Sequence, residues 1–257
     1  MWKLLRISLL LLALAIAVSW TWLDRIRTTS WQDTLWVGVF PLNGDGSEAA
    51  DRYVRSLEPQ HFVGIERFFA REAARYGIRI AQPVRIELYP ARDVLPPLLQ
   101  PDAGPIATAW WSLRLRFYAV KSANVEGRAP PHIRMFVLYH DPERTMRVPH
   151  SLGLQKGLVG VVYAFADRAM SGSNDVVIAH EVLHTLGASD KYDLATNAPL
   201  FPTGFAEPDL RPRFPQRMAE VMAGRRPVSP SDYEMPQDLR GVVVGPLTAA
   251  EIRWMRP

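Results

Sequence analysis

From Val176 to Asp193 the chain reads VVIAHEVLHTLGASDKYD, and the residues in it that can do chemistry are His180, Glu181 and His184, in the order H-E-x-x-H. On a helix, positions four apart lie on one face about 6 Å apart along the axis, so both imidazoles can grip a single metal ion. Glu181 is turned about 100° from His180. In this spacing the glutamate reaches the metal-bound water rather than the metal, and can take its proton. Two imidazoles leave a tetrahedral zinc site one protein ligand short.

No histidine follows His184, and His61, His132, His140 and His150 all lie upstream, where each reads better as an ordinary polar residue. The nearest downstream carboxylates are Asp190 and Asp193, with Glu207 and Glu220 further on. Asp190 fits best. Gly187 lets the chain turn sharply off the helix, and three residues later the backbone can present a carboxylate to the open corner of the site, leaving the fourth position for water. Asp193 stands next, as a supporting partner or a substitute ligand, and Glu207 is the remaining alternative. The chain has no cysteine, so thiolate zinc sites are excluded and any metal must be held by nitrogen and oxygen.

These residues need a helix and a sheet to hold them. Asn174 or Asp175 is expected to cap a helix that runs to Gly187, a residue suited to the left-handed conformation at a helix end. Leu158–Ala166, immediately before it, reads as a strand, either an edge bordering the cleft or a fully paired core strand. Upstream, Glu58–Tyr76 places Phe62, Ile65, Phe68 and Phe69 at helical spacing, and Val84–Pro90 and Ile133–His140 read as strands. Trp110–Val120 is expected as a helix with Trp111, Leu115 and Tyr118 on one face. After Asp193 the chain becomes proline-rich and irregular as far as Pro236, then closes in a short helix with Thr248 as its expected N-cap.

The N-terminus is different. Ile7–Leu23 is apolar throughout, follows Lys3 and Arg6, and ends in Trp20-Thr21-Trp22. Its length and aromatic end favour a signal anchor over a cleaved signal peptide, and either sends the remainder across a membrane. Thr28–Gly46 lacks periodicity and contains NGDG, a turn signal. The organisation expected is therefore a signal anchor or signal peptide over 1–24, a linker over 25–46 and one domain over 47–257, with that domain on the extracytoplasmic side. The formal charge of +4 comes from 26 arginines and 4 lysines, scattered rather than clustered, which excludes a nucleic-acid footprint.

His180-Glu181-x-x-His184-x-x-Gly187-x-x-Asp190 resembles the elongated zinc motif of the metzincin metallopeptidases, in the variant with aspartate in place of the third histidine, as in the snapalysin family. Metzincins also carry a methionine in a tight turn beneath the metal, and AEVMAG, with Met222, is the matching stretch. The resemblance implies an α+β zincin fold with a twisted mixed sheet, an active-site helix and a largely irregular C-terminal subdomain. It also implies Zn²⁺ as cofactor and a protein or peptide as substrate. Peptide-bond hydrolysis would use Glu181 as general base, with a phenol assisting the oxyanion: Tyr192 is the candidate, ahead of Tyr233 and Tyr163. The rival readings are a membrane-tethered scaffold in which zinc only closes the C-terminal segment onto the sheet, and an amidase acting on cell-wall peptides.

Overall fold

Along the strand β1 (Leu35–Asn43) alternate side chains enter two different cores: Leu35, Val37 and Val39 one, Phe40 and Leu42 the other. Both faces are covered, so the sequence LWVGVFPLN is almost wholly apolar, as a buried parallel strand should be. The computed structural model describes residues 2, 6, 28–100, 102–155 and 157–255. In chain order β1 is followed by the helices α1 (Glu48–Arg55) and α2 (Val63–Arg75), β2 (Val84–Leu88), α3 (Pro105–Ala123), β3 (Ile133–His140), β4 (Leu152–Leu154), β5 (Val159–Phe165) and α4 (Ser171–Leu186).

The five strands form one mixed sheet in the order β2-β1-β3-β5-β4. The first four run parallel, with Leu35 opposite Val84, Val37 opposite Ile133 and Arg134 opposite Val159. β4 is antiparallel to β5 and ends the sheet, with Gly153 opposite Gly160. Helices α2 and α4 contribute Ile65, Phe68, Phe69, Val182 and Leu183 to the larger core, while α3 lays Trp111, Leu115 and Ala119 on the opposite face.

Beyond α4 the chain is mostly irregular. Its regular pieces are the two-residue strands β6 (Ala219–Glu220), β7 (Arg226–Pro227), β8 (Tyr233–Glu234) and β9 (Val242–Val243), and the helix α5 (Pro246–Glu251). Buried carboxylates fasten this segment. Glu72 of α2 is fully buried, pairs with Arg71 and Arg75, and accepts the Val244 amide at 2.9 Å.

The strands expected at Val84–Pro90, Ile133–His140 and Leu158–Ala166 and the two expected helices around Ile65 and Leu115 are present. Three expectations are corrected, and one left open is settled. Residues 25–46 are not simply a linker: Thr28 and Thr29 are already buried, and residues 35–43 are β1, inside the sheet. Of the two readings of Leu158–Ala166, the fully paired inner strand is the one found, and the edge is β4. Neither Asn174 nor Asp175 caps α4, which begins three residues earlier; the Asn174 amide instead bonds both N and O of Phe165 and ties the helix to β5. Thr248 lies inside α5, whose N-cap is Gly245, and its hydroxyl donates to Glu220 at 2.7 Å. The apolar segment Ile7–Leu23 lies outside the described residues, among which no helix is long and apolar enough to cross a membrane.

Asp175 sits where α4 meets α2, and Gly64 makes room for it: a Cβ there would lie 3.0 Å from Oδ2. Burial pushes its carboxyl up to about 7. A folded-state pKa above the unfolded one means the folded state holds the extra proton, so this stability is present at low pH and is lost as pH rises through 7. Between about pH 5 and about pH 8 the wild type should lose about 1–3 kcal/mol relative to Asp175→Asn. Urea unfolding of both proteins at both pH values checks this, and a difference that does not widen with pH rejects it.

Candidate metal centre

Helix α4 carries His180, Glu181 and His184, and their ligand atoms all lie within 4.8 Å of one another. The helix stops at Gly187, which has a φ of 103°. There the Gly187 amide bonds the His184 carbonyl and the Ala188 amide that of Leu183, both at 3.0 Å. This left-handed cap is the turn expected from the sequence, and it reverses the chain so that Asp190 comes back beneath the two histidines.

Each imidazole is oriented through its far nitrogen. Nδ1 of His180 is 2.9 Å from the Val221 carbonyl and Nδ1 of His184 is 2.8 Å from that of Ala188. A carbonyl only accepts, so each Nδ1 carries a proton and each Nε2 is turned to the centre. Both Nε2 atoms face one carboxylate oxygen: Oδ1 of Asp190 is 3.2 Å from Nε2 of His180 and 3.1 Å from Nε2 of His184. Bonds of zinc length in a tetrahedron place neighbouring ligand atoms about 3.3 Å apart. Glu181 Oε2 is also buried, with no hydrogen-bond partner among the described residues. Two imidazole nitrogens and a carboxylate oxygen at this spacing need a positive charge among them, a proton or a metal ion, and two imidazoles with a carboxylate are a donor set zinc accepts.

The electrostatics show the same demand for positive charge, since the neighbouring carboxylates favour a second proton on His180 just as they would favour a cation. Burial opposes charge on His180, but Asp190, Glu181 and the Val221 carbonyl outweigh it and carry its pKa up to about 9. The same histidines hold the Asp190 carboxyl well below the usual range despite burial. Burial raises the Glu181 carboxyl, with the two imidazoles pulling it down. The Tyr192 phenol, beside His180, is pushed up to about 12 by burial and then by the Asp190 and Glu181 carboxylates.

The other sequence candidates separate cleanly. Asp193 is exposed and its Oδ1 is taken by the Ala195 and Thr196 amides and the Thr196 hydroxyl, so it is no substitute ligand. Glu207 accepts the Arg217 amide instead of reaching the centre. Glu220 is fully buried and accepts from Ala223, Gly245 and Thr248, which staples the turn containing Met222 to α5. Met222 is fully buried, next to the Val221 carbonyl that orients His180, and its own carbonyl accepts the Lys191 amide at 2.9 Å. Tyr163 lines a cavity of about 260 Å³ that His180 and Glu181 also line, whereas the Tyr233 hydroxyl turns to the Pro230 carbonyl.

Two features were not read from the sequence. Gly153 of β4 crosses directly over α4: a Cβ there would be 2.5 Å from the Glu181 carbonyl oxygen and 2.6 Å from His184 Cβ. The edge strand can therefore border the cleft of about 390 Å³ that holds His180, Glu181, His184, Asp190 and Tyr192. The second feature is a clamp on the Asp190 loop. Glu251 of α5 accepts from the Ser189 hydroxyl at 2.6 Å, the Ser189 amide at 3.1 Å and the buried Lys191 ammonium at 2.7 Å. Both neighbours of Asp190 are thus fixed to one carboxylate.

No protein-family model matches this chain, and no curated protein sequence matches it.

Removing the clamp should loosen Asp190, the candidate third ligand, without touching it. Glu251→Ala is expected to weaken zinc binding about 10- to 100-fold, read by competition with a chromophoric chelator; unchanged affinity would deny the clamp this role. Gly153→Val should displace β4 from α4 and cost about 1–3 kcal/mol in unfolding experiments, whereas wild-type stability would show that the crossing is loose.

Proposed function

We propose that this chain is a zinc-dependent metallopeptidase of zincin type, tethered to a membrane by its N-terminal apolar segment and working on the extracytoplasmic side. The observation that carries the reading is the convergence of His180 Nε2, His184 Nε2 and Asp190 Oδ1 beside an unpartnered, buried Glu181 oxygen. His180, His184 and Asp190 would hold the ion. When bound, zinc supplies a Lewis acid that polarises a carbonyl and makes water acidic near neutral pH.

The remaining work falls to the chain's own groups. Glu181 accepts a proton at its free Oε2 from the attacking water and returns it to the leaving amine. Its burial favours that exchange by bringing its proton affinity closer to neutrality than that of an exposed carboxylate. The outer edge of β4 offers main-chain N–H and C=O groups along the cleft, the geometry in which an extended peptide adds as a further strand. Tyr192 keeps its hydroxyl proton and can donate it to a developing oxyanion. The resemblance to aspartate-ligand metzincins, Met222 included, fits this assignment. A purely structural zinc site has no use for a carboxylate held free beside the ligands, which favours hydrolysis over the scaffold reading.

The test compares the full chain with two variants, reading zinc content and cleavage of an unfolded protein together. The wild type should hold about one zinc per chain. Glu181→Ala should keep the metal and lose about 10²–10⁴-fold in cleavage rate, while Asp190→Ala should lose metal. Full cleavage by Glu181→Ala rejects the mechanism, and zinc without cleavage in the wild type favours the scaffold.

A further inference from the structure

The helix α3 is apolar on both sides. Its inner face packs on the sheet, but Ile106, Trp110, Leu113, Phe117 and Val120 point outward, each more than half exposed. Their spacing alternates four and three residues, so they form one straight stripe. The preceding loop extends it. The Trp111 indole donates to the Pro97 carbonyl at 2.7 Å, the Tyr118 hydroxyl bonds the Val94 carbonyl, and Arg92 reaches the Ser122 carbonyl, which holds the loop along the helix. Val94, Leu95, Leu98 and Leu99 in that loop are exposed as well. Nine of the seventeen exposed large hydrophobic residues among those described belong to this helix and loop, so the patch is concentrated rather than scattered.

We propose that the outer face of α3 and the loop 94–99 form a second membrane contact, lying flat on a bilayer that carries anionic headgroups. Three grounds select this occupant. α3 contains no acidic residue, while Arg114 and Lys121 flank the stripe, Arg114 between Trp110 and Phe117 and Lys121 one turn beyond Phe117; Asp93, Asp102 and Glu126 stay in the flanking loops. An apolar stripe edged by cations with a tryptophan along it is the arrangement of an interfacial helix. A second copy pairing through the same stripe would instead bring Arg114 and Lys121 against basic residues, with no carboxylate on the helix to meet them.

The third ground is the membrane tether proposed above, and this step rests on that reading. Only Asp24–Arg27 lie in sequence between Ile7–Leu23 and the buried Thr28, and four residues reach about 14 Å at most. A domain anchored that closely meets the bilayer surface at high effective concentration, and a weak interfacial face becomes occupied. This contact does not depend on the metal centre.

The chain has no cysteine, so single labels are clean. The full chain with Phe117→Cys, carrying a fluorophore, is reconstituted in phosphatidylcholine vesicles with and without phosphatidylglycerol, and quenched by nitroxide groups on the acyl chains. Asp209→Cys, exposed in the C-terminal segment, is the reference. Near-UV circular dichroism confirms that each variant is folded. The label at 117 should be quenched several-fold more than that at 209 in the mixed vesicles, with the contrast falling when phosphatidylglycerol is omitted or when Arg114→Glu and Lys121→Glu are added. Equal quenching at the two positions overturns the proposal. Disulfide-linked dimers through position 117 without quenching would also overturn it, and would assign the face to a second copy.

Discussion

Everything at the centre of this molecule follows from the way two main-chain carbonyls fix two imidazoles. Val221 and Ala188 each occupy an Nδ1, which leaves both Nε2 atoms facing Asp190 at hydrogen-bonding distance. Such a cluster is tolerable only around a positive charge. The rest of the C-terminal half can be understood as what keeps those carbonyls in place. Ala188 is delivered by the left-handed turn at Gly187. Val221 is delivered by the turn over Met222, which Glu220 pins to Gly245 and Thr248. An irregular segment of this length is held in shape by a few buried carboxylates that each satisfy several donors, rather than by long hydrogen-bonded ladders.

The choice of aspartate sets the charge of the centre. With a divalent cation, Asp190 and an ionised Glu181, the site is formally neutral; a third imidazole would leave it cationic. Neutrality suits a place where Glu181 is almost fully buried, because uncompensated charge is most costly there. Under the proposed function the carboxylate would also make an activated water slightly less acidic than three neutral ligands would, other things equal. Glu181, raised by burial, would then be an acceptor matched to that proton donor.

How much of this the sequence discloses depends on how local each interaction is. His180, Glu181, His184, Gly187 and Asp190 fall within eleven residues, and helical geometry with one left-handed turn is enough to bring them together. The Glu251 clamp joins residues about sixty positions apart through side chains of ordinary type, and no spacing rule reaches that far. β4 is three residues long and leaves no alternating pattern, so its passage over the helix at Gly153 is invisible without the fold. β1 was hidden for the opposite reason: with both faces buried it has no polar alternation, and its neighbour NGDG reads as a linker. Asn174 has a cap's chemistry, but its amide is spent on Phe165. Tertiary contacts reassigned a residue whose type suited either task.

The sheet divides the molecule's two kinds of surface. Helix α4 packs with the larger core on one face, and α3 covers the smaller core on the other. A helix apolar on its outer side as well as its inner one is half of a three-layer arrangement, and exposing that outer side to water works against the domain at about 25 cal/mol per Å² of apolar surface. The missing layer can therefore be supplied on the α3 side while the cleft between β4 and α4 stays open, since Leu152 and Leu154 turn towards the α3 core and Gly153 towards the histidines. The period-two geometry of one short strand is what keeps the two surfaces from competing.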